Sequence, residues 1–219
     1  FVDEGQIQLD EITYTEVFRT YGGGVPFLAS YYTQLCERLK DYGMMMPYSI
    51  TEIREAVARL NAQDDKDGAF FIHVVASHLK DDSEIIVLVM RRTVEPVQFY
   101  REKSAVWSQA PYSRAALYDD LKGFHKQTEE HLAEQFLVTD NGTVAMSTTS
   151  IIFWAKDDIL YTPSLHVGID PTVPRQLVIQ LARKMGYHVR EDSYLPYEVE
   201  EAHECFVINP IDEIVPIYR

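Results

Sequence analysis

Cysteine is nearly missing from this chain: Cys36 and Cys205 are the only two in 219 residues, so a disulfide framework cannot be built. Each lies in an apolar repeat and reads as a core thiol, and the expected setting is a reducing cytoplasm. Positive charge is also scarce. Lysine and arginine number 20 against 34 acidic residues, a net charge of -14, which argues against nucleic acid or an anionic membrane as partner. No apolar run approaches the roughly 20 residues needed to cross a bilayer. No basic start leads into an apolar stretch at Phe1, so no secretory leader is expected. Histidine is thinly spread. His125 and Glu129 would share a helical face while His131 points elsewhere, so no metal site is expected. Gly22-Gly23-Gly24 has no lysine where a phosphate loop requires one and reads as a tight turn.

What is present suffices for one substantial core or two small lobes, since 46% of the residues are hydrophobic. The first lobe opens with an extended segment, Ile12 to Thr20, in which Tyr14, Glu16 and Phe18 alternate with Thr13, Thr15 and Val17. The glycine turn follows. Leu28, Tyr32, Leu35, Cys36 and Leu39 then recur at helical spacing and predict a helix from Leu28 to Tyr42. Ser49-Ile50-Thr51-Glu52 has the form of a capping box, with Ile53, Ala56, Val57 and Leu60 forming the face behind it. Two antiparallel strands, Ala69 to Ser77 and Glu84 to Arg91, are expected around a polar turn at Lys80-Asp81-Asp82-Ser83. Thr93 to Pro96 marks the junction, giving lobes 1–95 and 96–219, and the fold class is α/β (α+β).

The last third carries the strongest local signals. Asp140-Asn141-Gly142 between Phe136-Leu137-Val138 and Thr143 to Phe153 predicts a hairpin. The acceptor-like Asn141-Gly142-Thr143 is read as part of that turn. Asp157-Asp158 predicts a second turn. Ile159 to Pro163 then leads through Gly168 to a helix from Pro174 to Met185, and Cys205 to Ile217 reads as strand, loop and short strand.

Met146 to Phe153, Leu160 to Pro163, Thr172 to Arg175 and Glu213 to Ile217 occur in the order and approximate spacing of four family segments. These are Glu-Gly-Thr-x-Ser-Asn-Ile-Phe, Leu-Tyr-Thr-Pro, Gly-Ile-Thr-Arg and Glu-Ile-x-Pro-Val. In this the chain resembles the class IV aminotransferases, the fold-type IV pyridoxal-phosphate enzymes that include branched-chain and D-amino-acid aminotransferases and aminodeoxychorismate lyase. The resemblance implies a two-lobed architecture, a homodimer, pyridoxal phosphate as cofactor and a small amino-bearing substrate. It implies Lys122, in Leu121-Lys122-Gly123-Phe124-His125, as the catalytic lysine that forms an imine with the cofactor. That amine must lose its proton, helped by desolvation or by a neighbouring cation such as Lys126. It also implies Arg38 as the phosphate arginine, whose planar fork suits phosphate oxygens, and Thr148 and Val173 as further cofactor contacts.

Other residues depart from the family pattern. Met146 stands where relatives place the glutamate that bonds the pyridine nitrogen, and a thioether cannot do so. Pro174 offers neither amide proton nor hydroxyl at the helix start, and Pro210 and Ile211 stand for hydroxyl residues in the last loop. Asp212 and Glu213 would repel a phosphate if they pointed inward. Between Lys122 and Met146 the implied helix is about nine residues, two and a half turns, shorter than in relatives. Aligned without that gap, the lysine position falls on Ser113 or Arg114. Plainer readings stand beside these: Lys122 solvated beside Asp119 and Asp120, Arg38 exposed and paired with Glu37 or Asp41. The leading function is a lysine-imine aminotransferase or lyase. The alternative is a non-catalytic homologue that has lost pyridoxal phosphate and binds another small molecule or a protein partner.

Overall fold

The computed structural model describes residues 12–41, 43–62, 68–79, 82–93, 103–108 and 134–218. The chain divides into two compact units, Phe1–Pro96 and Val97–Arg219.

The first unit is a three-stranded antiparallel sheet, ordered β1 (Ile12–Arg19), β2 (Gly68–Leu79), β3 (Asp82–Thr93). Helix α1 (Leu28–Asp41) packs on β1, and α2 (Ile50–Asn61) on β3. The alternation in β1 is realised, with Tyr14, Glu16 and Phe18 buried and Thr15 and Val17 half-buried. Phe18 anchors the core, its ring 5.5 Å from Tyr31 and stacked 5.7 Å from Phe70. Gly22 and Gly23 have φ of 55° and 78°, values that glycine adopts without strain, and they close the turn in which Tyr21 and Gly24 exchange both backbone bonds. The capping box forms as its letters require. The Ser49 hydroxyl accepts from the Glu52 amide at 3.4 Å and the Glu52 carboxylate accepts from the Ser49 amide at 2.7 Å.

Two details in this unit differ from expectation. The buried stripe of α1 is Leu28, Tyr31, Gln34, Leu35, Arg38 and Leu39, while Tyr32 and Cys36 are only half-buried. Polar Gln34 and Arg38 concealed that rotation from a hydrophobicity pattern. Asp82 and Ser83 belong to β3, paired with Leu79 and His78, because a strand end can carry polar side chains as long as its backbone is paired; Lys80 and Asp81 lie outside the described residues.

The second unit has two sheets. The smaller runs β4 (Ala105–Trp107), β5 (Glu134–Val138), β6 (Val144–Ser147), with β4 and β5 parallel. The larger has the order β11-β10-β7-β8-β9, made of β7 (Ile151–Lys156), β8 (Ile159–Pro163), β9 (His188–Asp192), β10 (Glu204–Asn209) and β11 (Glu213–Ile217). Helices α3 (Val173–Lys184) and α4 (Pro196–Glu200) complete it. Strand β7 is buried on both faces. Ile151 and Phe153 enter one apolar cluster and Ile152 and Trp154 another, which explains an unbroken apolar run in place of alternation.

The segment expected as one hairpin flank, Thr143 to Phe153, is split. Strand β6 pairs with β5 in the small sheet, whereas β7 joins the large one. The break is a tight turn closed by the Ser147 amide on the Ser150 carbonyl at 2.8 Å. At the next turn Asp157 and Asp158 have φ of 51° and 62°, the left-handed values a two-residue hairpin demands. Strand β9 was not expected, since its one apolar residue, Val189, sits among charges. It is an edge strand, where charge deters pairing with other chains. Cys36 and Cys205 form no disulfide and are half-buried, so neither is a fully enclosed core residue. No helix of the described residues is long and apolar enough to cross a membrane.

Candidate functional site

Lys122 lies outside the described residues, as do Ser113, Arg114, Asp119, Asp120, His125, Lys126, Glu129 and His131. Arg38 is on the inward face of α1 with 8% of its surface exposed. It is therefore not the solvated arginine of the plainer reading, although one guanidinium nitrogen lies 3.6 Å from the Asp41 carboxylate. One turn earlier, Gln34 is equally enclosed, and its side-chain oxygen has no hydrogen-bond partner among the described residues.

In the second unit, the segment Met146 to Ser150 forms the end of β6 and the turn into β7. Met146 is packed among Ala145, Ile151, Phe153, Ile179 and Ile208, an apolar setting in which a carboxylate would pay a large desolvation cost. Ser147 is fully buried. Its hydroxyl donates to Glu134 at 2.7 Å and accepts from the amides of Ser150 at 3.0 Å and Thr149 at 3.4 Å. Thr148 is half-buried and its amide donates to the Gln135 carbonyl at 3.1 Å.

Helix α3 begins as its letters predict. Thr172 caps it, accepting from the Arg175 amide at 3.3 Å on its hydroxyl and from the Gln176 amide at 3.2 Å on its carbonyl. Pro174 has no amide hydrogen, so the first turn keeps only the Val173 amide for an outside partner. Val173 itself is buried. Arg175, 2% exposed, donates from one guanidinium nitrogen to the Pro163 carbonyl at 2.8 Å and the Glu191 carboxylate at 2.9 Å, while its buried Nε has no hydrogen-bond partner among the described residues.

The loop between β10 and β11 turns on Asn209. Its side-chain oxygen accepts from the amides of Ile211 at 2.8 Å and Asp212 at 2.7 Å. Its amide group donates to the Ser150 hydroxyl at 3.0 Å and to the Asp212 carboxylate at 3.3 Å. Lys103 meets Glu134 at 2.9 Å and Asp212 at 3.6 Å. Lys103, Glu134, Ser147, Ser150, Asn209 and Asp212 thus form one polar network joining four separated segments. Sequence reasoning missed it. Glu134 was the available signal: it opens a strand of otherwise apolar inward positions, and a carboxylate buried there must have partners.

Pyridoxal phosphate, the group implied by the resemblance, would need donors that these residues supply only in part. Met146, at the position to which the family pattern gives the ring-nitrogen carboxylate, is a thioether in an apolar cluster. The amides of Ile211 and Asp212 are already bonded within the chain, and Pro174 removes another donor. As a donor set, the second unit does not fit the cofactor as the family pattern holds it. Among the described residues no three His, Cys, Asp or Glu side chains could hold a metal.

Comparison with known proteins places the chain. It matches the family described as amino-transferase class IV over residues 13–219. It is 28% identical over 234 residues to the aminodeoxychorismate lyase of Bacillus subtilis, covering 93% of this chain and 76% of that protein. A D-alanine aminotransferase of Listeria monocytogenes is 23% identical over 220 residues, 92% of this chain and 76% of that one. The structure of a branched-chain aminotransferase from Thermoproteus uzoniensis with norvaline aligns with a TM-score of 0.83 over 99% of this chain and 83% of that chain. At 20% identity this is a likeness of fold. The chain belongs to the class IV aminotransferase family and has its fold-type IV architecture.

Proposed function

We propose that this chain is a class IV aminotransferase homologue that keeps the scaffold, has lost pyridoxal-phosphate chemistry, and binds another small molecule. The observation that carries this is Met146, enclosed in an apolar cluster at the position where relatives carry a glutamate. A cofactor ring draws electrons from a substrate carbanion most strongly when its nitrogen is held protonated. Neither a thioether nor the surrounding Ile151, Phe153 and Ile208 can hold that proton.

A second reading is supported by the relatives, which carry the names of aminotransferases and a lyase, and by the burial of Arg38. In it the chain is a pyridoxal-phosphate-dependent aminotransferase or aminodeoxychorismate lyase-like enzyme acting on an amino-bearing substrate, with Lys122 as imine lysine, Thr148 and Val173 among the contacts, and a homodimeric assembly.

Absorbance separates the two. Purified protein mixed with pyridoxal phosphate is expected to show no new visible band beyond that of free cofactor, and borohydride is expected to fix no label. A band that appears in the native chain and vanishes in Lys122→Ala would overturn the first reading in favour of the second.

A further inference from the structure

We infer that the ligand taken by the second unit carries no phosphate group, because the amides of its last loop close on the chain's own side-chain oxygen and Pro174 leaves the start of α3 a single amide for an outside partner. This deepens the proposed loss of cofactor chemistry and rests on that reading, but it stands on different atoms.

A phosphate site of this kind is made of converging N–H groups whose hydrogens are free for the anion. Convergence is present here, and an internal acceptor fills it. In the β10–β11 loop, the amides of Ile211 and Asp212 meet on the Asn209 side-chain oxygen at 2.8 and 2.7 Å. In the β6–β7 turn, the amides of Ser150 and Thr149 meet on the Ser147 hydroxyl at 3.0 and 3.4 Å. At the start of α3 the Arg175 amide is taken by the Thr172 hydroxyl at 3.3 Å. The two loops have adopted one solution, and the start of α3 keeps only the Val173 amide for an outside partner.

The two loops are also tied to each other. Asn209 donates to Ser150 at 3.0 Å, Ser147 to Glu134 at 2.7 Å, and Lys103 bridges Glu134 and Asp212 at 2.9 and 3.6 Å. An entering phosphate would have to displace the Asn209 side-chain oxygen from both amides, at a loop whose Asp212 carboxylate is already paired with Lys103. A molecule without an anionic group leaves those bonds in place.

The test uses the full chain, labelled with nitrogen-15, titrated separately with inorganic phosphate, pyridoxal phosphate and pyridoxal. Phosphate is expected to leave the amide resonances of Thr149, Ser150, Ile211 and Asp212 in place, and pyridoxal phosphate to bind no more tightly than pyridoxal. Saturable movement of those four resonances with inorganic phosphate overturns the inference, as does a preference of about tenfold or more for the phosphorylated aldehyde. In Asn209→Ala, hydrogen exchange at Ile211 and Asp212 is expected to accelerate by about tenfold. Unchanged exchange in a folded variant also overturns it. A Lys122-dependent visible band formed equally with pyridoxal and pyridoxal phosphate would sink the non-catalytic reading and leave this inference intact, so the two can fail separately.

Discussion

The two units are held together by different means. In the first, one antiparallel ladder runs through the whole sheet: β2 pairs β3 without a register break from Gly68 with Thr93 to Leu79 with Asp82, and pairs β1 on its other side from Arg19 with Ala69. In the second, the β7–β8 and β10–β11 hairpins are joined by pairings across longer intervals, Ala105 with Glu134 and Glu204 with Ala155, and those joins carry side-chain bonds from Glu134, Ser147 and Asn209. A ladder distributes its dependence over many equivalent bonds. A side-chain network concentrates it on a few residues, so single substitutions there should reach farther.

Apolar cores should not distinguish the units. Phe18→Ala in the first and Trp154→Ala in the second each remove a fully buried ring and are each expected to cost roughly 3–5 kcal/mol, measured by urea denaturation followed by circular dichroism. A marked inequality would mean that one core relaxes around the gap. The difference between the units should appear with Glu134→Leu. It deprives Lys103 and Ser147 of their buried acceptor and is expected to cost about 3 kcal/mol. It should also shift amide resonances in the Ser147–Ser150 turn and at Asn209, far from it in sequence. A change confined to residues next to Glu134 would break the comparison.

Caps give smaller effects in both units. Ser49→Ala and Thr172→Ala are each expected to cost about 1 kcal/mol, read by the same denaturation, with disturbance local to α2 or α3. The smallest effect is in α2. Hydrogen bonds from the Ser49 amide and hydroxyl lower the pKa of Glu52. A depressed carboxyl stabilises the fold above its unfolded pKa and loses that contribution as the pH falls through the folded value. The protection of amides in the first turn of α2, taken relative to their intrinsic exchange rate at each pH, should therefore fall on acidification below the ordinary glutamate range, and Glu52→Gln should weaken that dependence. Tyr194 offers an alkaline counterpart in the second unit. Burial, with Asp192 nearby, pushes its hydroxyl up to about 12, so its ultraviolet ionisation step should come well after that of free tyrosine. Stability should fall as pH rises between the unfolded and folded values.

Much of the fold was legible because local chemistry is repeated in neighbouring letters. The capping box at Ser49 and Glu52, the Asp140-Asn141-Gly142 and Asp157-Asp158 turns, the proline-started helix at Thr172 and the alternation in β1 all depend on a few adjacent side chains. The exceptions depended on distant partners. Gln34 and Arg38 lie on the buried stripe of α1 despite their polarity, β9 is a strand because β8 lies beside it, and the Thr143 to Phe153 run is cut by bonds around Ser147. The candidate site divides in the same way. The departures at Met146, Pro174 and Ile211 could be read directly, but Asn209 and Glu134 could not.

The order of segments from Met146 to Ile217 was enough to determine the family and the architecture, since turns, caps and apolar runs are written in contiguous residues. Only the tertiary structure decided that the Ile211 and Asp212 amides are spent on Asn209 and that Lys103 joins Glu134 to Asp212. A hydrogen bond between residues remote in sequence leaves no periodicity or spacing to read, because its geometry exists only once the strands have been brought together.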